Sequence, residues 1–148
     1  GSEIGYEDIE RRKLDDYTYK LVGEDTIDGQ SVYVVESVPT AKHRAKTSYG
    51  KSKSWINKSN YLLVKNELYN HQGALAKTFF FKDIRQVEGI WISRKMLVVN
   101  HQNKRMSMLG LKKLAVNPAL TDAMFDNRVL DDGAYREKLL APIRALAK

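Results

Sequence analysis

Residues 61–100 read YLLVKNELYN, then HQG, then ALAKTFFFKDIRQV, then EG, then IWISRKMLVVN. Three apolar, partly alternating runs are separated only by short turn segments. Connections this short force neighbouring strands to be antiparallel, because parallel pairing needs a long crossover. Gly73 and Gly89 in those turns suit the positive φ of tight hairpins. Extending the same reading outward gives a strand at Tyr49–Asn57, turned by Lys58-Ser59-Asn60 into Tyr61–Asn70. Ala74–Val87 and Ile90–Asn100 follow, and His101-Gln102-Asn103 leads into Lys104–Val116. Upstream, Tyr17–Gly23 and Ser31–Val38 flank the Asp25–Gln30 stretch, with Asp28-Gly29 as the hairpin signal. A polar loop at 39–48 joins that hairpin to the third strand. The expectation is a mainly β chain, a seven-stranded antiparallel meander whose long strands suggest a curved or barrel-like sheet.

The pattern then changes to C-terminal helices. Asn117-Pro118 reads as a helix start, with a short helix at Leu120–Phe125 and a second at Asp131–Ala147. Tyr135, Leu139, Ile143 and Leu146 fall on one face of the second, which Pro142 is expected to kink or break.

The chain has 148 residues and 17.0 kDa, enough for one domain with a sizeable core. No apolar run approaches the ~20 residues of a membrane-spanning helix. Cysteine is absent, which excludes disulfides, thiol catalysis and cysteine metal sites. Gly1-Ser2 reads as a scar of tag removal, so targeting is not legible at this end.

The net charge of +7 is unevenly placed. Residues 1–28 hold nine acids and four bases, whereas residues 42–58 hold six bases and no acid. That basic stretch reads either as a solvated loop and strand edge or as an attractor for nucleic acid, anionic lipid or an acidic partner. Tyr49 and Trp55 interleave with its lysines, but no nucleic-acid-binding signature accompanies them.

Catalytic constellations are thin. His43, His71 and His101 fall in predicted loops or turns without metal-ligand spacing, and read as solvated turn residues. The acid pairs Asp15-Asp16, Glu24-Asp25 and Asp131-Asp132 sit near element ends, where capping and turn formation explain them. No nucleophile elbow, phosphate loop or dinucleotide fingerprint is present. The reading is non-enzymatic, with no cofactor and no metal.

Period two predicts which residues share a face. Leu62, Val64 and Leu68 are expected together on one face of the fourth strand, with Lys65 and Glu67 opposite. Ile92, Met96 and Val98 share a face of the sixth, and Met106 and Met108 one of the seventh. Phe79-Phe80-Phe81 makes both faces of the fifth apolar. These apolar faces are either core or a concave surface for a lipid or a partner. Trp55 and Trp91 read first as sheet-face packing.

Several segments resemble the LolA-like outer-membrane lipoprotein-sorting proteins. They are Tyr6-Glu7-Asp8-Ile9 with Asp15-Asp16-Tyr17-Thr18-Tyr19, then Asp28-Gly29-Gln30-Ser31-Val32-Tyr33-Val34-Val35-Glu36. Ser54-Trp55-Ile56-Asn57-Lys58 with Tyr61-Leu62 is similar to that family's W-I-D-K-x-x-Y-L strand pair, with Asn57 in place of Asp. Gln86-Val87-Glu88-Gly89-Ile90-Trp91 matches its V-D-G-I-W hairpin, and Ala123-Met124-Phe125 its closing D-S-L-F. The resemblance spans about residues 5–130. It implies an incomplete, strongly curved antiparallel half-barrel, here the carboxy-terminal half of a longer secreted protein, forming one domain over residues 1–148. It further implies a periplasmic carrier that shields a lipid or lipoprotein acyl chain, or else a protein-interaction module of an envelope export system with a transporter partner. The candidate ligand surface is Leu62, Val64, Leu68, Ile92, Met96, Val98, Met106 and Met108. No nucleic-acid partner is expected, and an open sheet edge with an exposed apolar face predicts a homodimer.

Overall fold

The structure, a computed structural model, describes residues 1–147. Its strands are β1 (Tyr17–Ile27), β2 (Gln30–Pro39), β3 (Tyr49–Asn57), β4 (Leu63–Asn70), β5 (Leu75–Val87), β6 (Ile90–Asn100) and β7 (Arg105–Gly110). They form one open antiparallel sheet in chain order, the meander expected from the turn spacing. Two short helices, α1 (Tyr6–Ile9) and α2 (Ala41–Arg44), lie outside the sheet. The β1–β2 hairpin is tighter than the sequence suggests. Ile27 pairs directly with Gln30, leaving Asp28-Gly29 as a two-residue turn with φ of 50° and 76°. Glu88-Gly89 repeats this at 52° and 82°. Positive φ at both central residues gives the turn a twist matching that of its strands, and glycine accepts it without a Cβ clash.

Residues directly paired across antiparallel strands share a face. One row across the sheet is Leu21, Val35, Ser54, Asn66 and Phe79. The row on the opposite face is Gly23, Val34, Trp55, Lys65 and Phe80. Each face carries its own apolar cluster. Tyr49, Leu68, Ala76, Phe79 and Val98 make one, with Ile4, Phe81 and Met96 packed against it. Val32, Val34, Trp55 and Val64 make the other, flanked by Ile27 and Ile84.

The chain divides into two compact units. The first is Gly1–Arg85 with Trp91–Gly110, and holds the sheet apart from its Gln86–Ile90 hairpin tip. The second is that tip with the chain after Gly110. It contains a 3-10 turn at Asp122–Phe125, α3 (Arg128–Asp131) and α4 (Gly133–Leu146). The Asp132 side chain caps α4 by accepting from the Tyr135 N–H at 2.9 Å.

Three local expectations change. The seventh strand closes at Gly110, which offers the sheet no side chain, rather than reaching Val116. No helix starts at Asn117-Pro118: Asn117 takes a left-handed φ of 44°, which asparagine tolerates, and helical turns begin only at Asp122. Pro142 sits inside α4 without ending it. Its missing N–H deprives the Lys138 carbonyl of a donor, but both residues are exposed and water can replace the bond.

Candidate functional site

The acidic amino-terminal segment is a strap across one face of the sheet. At its start the Glu3 N–H donates to Ser107 Oγ (3.0 Å), and its carboxylate accepts from Asn100 (2.8 Å) and Asn103 (3.1 Å) and pairs with Arg105 (3.2 Å). The Asn103 hydrogen bond is the largest influence holding the Glu3 carboxyl below its usual range, with Asn100 and Arg105 adding to it. Ile4 then packs on the Leu68–Phe79 cluster.

Further along, Asp8 is 1% exposed and accepts from Lys77 Nζ (2.6 Å), Tyr49 Oη (2.7 Å) and the Gly5 N–H (2.7 Å). Burial, reinforced by Asp8, pushes the Tyr49 phenol far above its ordinary value. Glu7 accepts from the Thr47 hydroxyl and from the Ser48 N–H at 3.1 Å. Arg12 Nη1 donates to Ser52 Oγ at 3.2 Å, and Asp16 reaches His43 at 3.4 Å. The strap therefore touches β7, β5, β3 and α2 before entering β1.

Between the strap and the sheet lies a groove of about 350 Å³. Its floor is the face that Tyr19, Val35, Ile56, Leu63, Leu68, Phe79 and Phe81 share, and Asp8, Glu10 and Arg12 close one side. The polar residues set into this floor, Ser37, Ser54 and Asn66, are small and uncharged. Ser37 and Ser52 bond each other at 2.6 Å, and Ser54 donates to Asn66 at 3.0 Å, so those groups cost little to bury. The volume is at the low end of ligand pockets, which run from roughly 300 to 1,000 Å³.

The opposite face is closed by charge. Lys65 and Lys53 lie over the Trp55 ring, at 4.2 and 5.2 Å from its centroid, and Trp55 Nε1 donates to Asp25 at 3.0 Å. Lys51 lies 4.9 Å from the Tyr69 centroid and pairs with Glu36 at 3.3 Å. The lysine ammonium groups thus sit over the aromatic faces as cation–π contacts. Trp55, 6% exposed, is core rather than a stacking platform.

The eight sequence candidates do not share one surface. Leu68 lines the groove; Val98 and Met96 belong to the same cluster as Leu68. Val64 lies in the Trp55 cluster on the other face. Trp55 pairs with Lys65 and Ile56 with Leu63, so Val64 is the extra residue of a β-bulge, and the bulge turns it away from Leu68. Met106 and Met108 pair with Val99 and Leu97, on the face away from Val98, and are 70% and 73% exposed. Leu62 and Ile92 are half-buried, Leu62 just before β4 with its carbonyl accepting from the Asn57 N–H.

Tyr19, Val35 and Ile56 are groove residues that strand counting missed; their alternation with charged or buried neighbours was the available signal. His71 and His101 are exposed turn residues, as expected, and His43 is half-buried in α2; each also tethers its segment. His71 bonds the Thr47 carbonyl (2.8 Å), His101 the Thr78 hydroxyl (2.9 Å), and His43 the Tyr17 hydroxyl (3.1 Å). Among the described residues no three His, Asp or Glu side chains group as metal ligands, and no helix is long and apolar enough to cross a membrane.

A family model described as "Uncharacterized protein" matches residues 1–132. No curated protein matches the chain. Its fold is similar to that of a candidate outer-membrane lipoprotein-sorting protein domain from Vibrio parahaemolyticus, with TM-score 0.75 and 31% identity, over 87% of this chain and 54% of that one. It is also similar to a DUF1329 family protein from Desulfovibrio piger, with TM-score 0.68 and 27% identity, over 86% and 52%. A LolA superfamily protein from Nitrosomonas europaea shares the fold, with TM-score 0.61 and 21% identity, over 86% and 57%. The chain spans about half the length of the solved relatives it matches.

Proposed function

The chain belongs to the family matched over residues 1–132, a family of LolA-like fold, and from that premise we propose that it is a non-enzymatic carrier module for acyl chains. The observation that carries this reading is the strapped groove: an apolar floor, small satisfied polar groups, and no charged side chain of the sheet among its lining. A hydrocarbon chain gains about 0.8 kcal/mol for each CH₂ removed from water, so such a floor rewards an acyl chain and offers a polar ligand little. The proposed setting is the periplasm, with a lipid or lipoprotein acyl chain as cargo; the relative named for lipoprotein sorting supports that direction. Carriage implies a donor and an acceptor in the envelope. The edge strand β7, with Met106, Met108 and Leu109 exposed, suits such a partner or a second copy of the chain.

The test is native mass spectrometry of freshly purified protein, followed by titration with a fluorescent fatty acyl probe. Bound lipid, and saturable probe binding that Leu63→Gln weakens, are expected. Absence of both overturns the carrier reading.

A further inference from the structure

The groove ends beside a second cleft of the same size, about 350 Å³, and Glu10 and Arg12 line both. The second cleft is polar and basic. Five cationic side chains, Arg11, Arg12, Lys13, Lys42 and Lys46, line it together with three carboxylates, Glu7, Glu10 and Asp16. Two of those carboxylates are already engaged: Glu7 with Thr47 and Ser48, and Asp16 with His43. The cations are not: none of the five forms an ion pair among the described residues. Arg12 is also held in place at the junction. It donates to Ser52 at 3.2 Å, and its guanidinium lies 5.2 Å from the Tyr17 ring centroid. An apolar slot opening onto a basic cleft past a fixed guanidinium matches one ligand shape.

We infer that the ligand is a single-chain amphiphile with an anionic head, carboxylate or phosphate, its chain in the groove and its head in the basic cleft beside Arg12. This rests on the acyl-carrier reading and adds the head group to it. Arg11, Arg12 and Lys13 of the strap and Lys42 and Lys46 of the 39–48 loop thus supply the cations of one head-group site. An anion there makes charge-assisted hydrogen bonds, while a neutral head of similar size gains none.

Two detergents, decyl phosphate and decyl maltoside, each below its micelle concentration, decide the matter by displacing a fluorescent fatty acyl probe, and inorganic phosphate is titrated directly by calorimetry alongside decyl phosphate. At low salt, decyl phosphate is expected to bind about tenfold more tightly than decyl maltoside, and high salt should shrink that ratio. The variant Lys13→Gln/Lys42→Gln/Lys46→Gln changes only exposed lysines and should move the ratio toward one. Arg12→Gln should do the same and Arg12→Lys only partly, whereas a folding defect would weaken both detergents together. Equal affinities for the two detergents overturn the head-group inference and leave the groove reading standing. Inorganic phosphate binding as tightly as decyl phosphate also overturns it, since the cleft would then hold anions independently of the groove. Displacement by neither detergent overturns the groove reading with it.

Discussion

The two faces of the sheet are built from similar numbers of apolar residues and have opposite fates. On the face bearing Trp55, the lysines of β3 and β4 set their ammonium groups over the Trp55 ring, and ion pairs such as Lys65–Glu67 at 2.7 Å lock the surface. On the strapped face, a neighbouring chain segment supplies the charges, and it bridges the sheet rather than lying flat on it. A gap remains under the bridge, and the gap is the groove. Hydrophobic content therefore does not distinguish core from site here. What distinguishes them is whether the covering groups belong to the same strands, and so lie directly on the floor, or come from elsewhere in the chain.

The strongest way to break this contrast is to remove the centre of the closed face. Trp55→Ala deletes a ring 6% exposed and its hydrogen bond to Asp25. A loss of about 4 kcal/mol is expected by urea unfolding, with acyl-probe affinity of the remaining folded protein unaltered. Weakened probe binding at full folding would mean that the closed face takes part in the site. Next comes the strap. Asp8→Ala leaves Lys77, 16% exposed, without its carboxylate, and removes the acceptor of Tyr49. Deleting one partner of a buried pair costs about 3 kcal/mol. Faster tryptic cleavage at Arg11, Arg12 and Lys13 should accompany it, and unchanged cleavage would show that the strap is held by its ends alone.

The strand plan was legible because hairpin chemistry is local: Asp28-Gly29 and Glu88-Gly89 fix two turns by themselves. The faces were not, because pairing is not local. Val64 and Leu68 are four residues apart on one strand and should share a face, yet the bulge between Leu63 and Lys65 places them on opposite sides. Further register shifts occur between Leu21 and Gly23, between Tyr49 and Lys51, and between Leu68 and Tyr69. Each can exchange inside for outside downstream of it. Met106 and Met108 failed to join Met96 for a simpler reason: they pair with the odd-numbered residues of β6. The strap announced itself only as nine acids in residues 1–28, a charge asymmetry without an address. Its partners, Lys77 and Arg105, lie far along the chain.

A milder change sharpens the contrast from the strapped side. Ile56 and Leu63 line the groove and are directly paired, half-buried rather than buried. The double variant Ile56→Ala/Leu63→Ala removes floor without touching either cluster centre. Stability should fall by about 1–2 kcal/mol, and acyl-probe affinity by about tenfold, since a few lost CH₂ contacts at about 0.8 kcal/mol each amount to that factor. A stability loss with full affinity would move the ligand away from this end of the groove.

The smallest expected effect tests whether the charged cover of the closed face holds by charge or by packing. Glu67 accepts from Lys65 Nζ at 2.7 Å and from Tyr69 Oη at 2.6 Å. Burial acts to raise its pKa, but the bonds to Lys65 and Tyr69 more than offset it, so the carboxyl titrates below its usual range. The Tyr69 phenol is pushed up to about 12, by burial first and then by Glu67. A depressed carboxyl pKa stabilises the fold above the unfolded value of about 4.3, and that contribution is lost as pH falls through the lower folded value. Glu67→Gln should therefore cost less than about 1 kcal/mol at pH 7, and the gap from the parent protein should be narrower at pH 3, below the unfolded value. Paired urea titrations at the two pH values measure it. A gap undiminished at pH 3 would mean that Glu67 acts through its shape, with packing rather than the ion pair keeping water off Trp55. In that case, replacing Lys65 by Met should leave the closed face as stable as before, whereas a gap that narrows predicts that the same replacement strands Glu67 and lowers stability above pH 5.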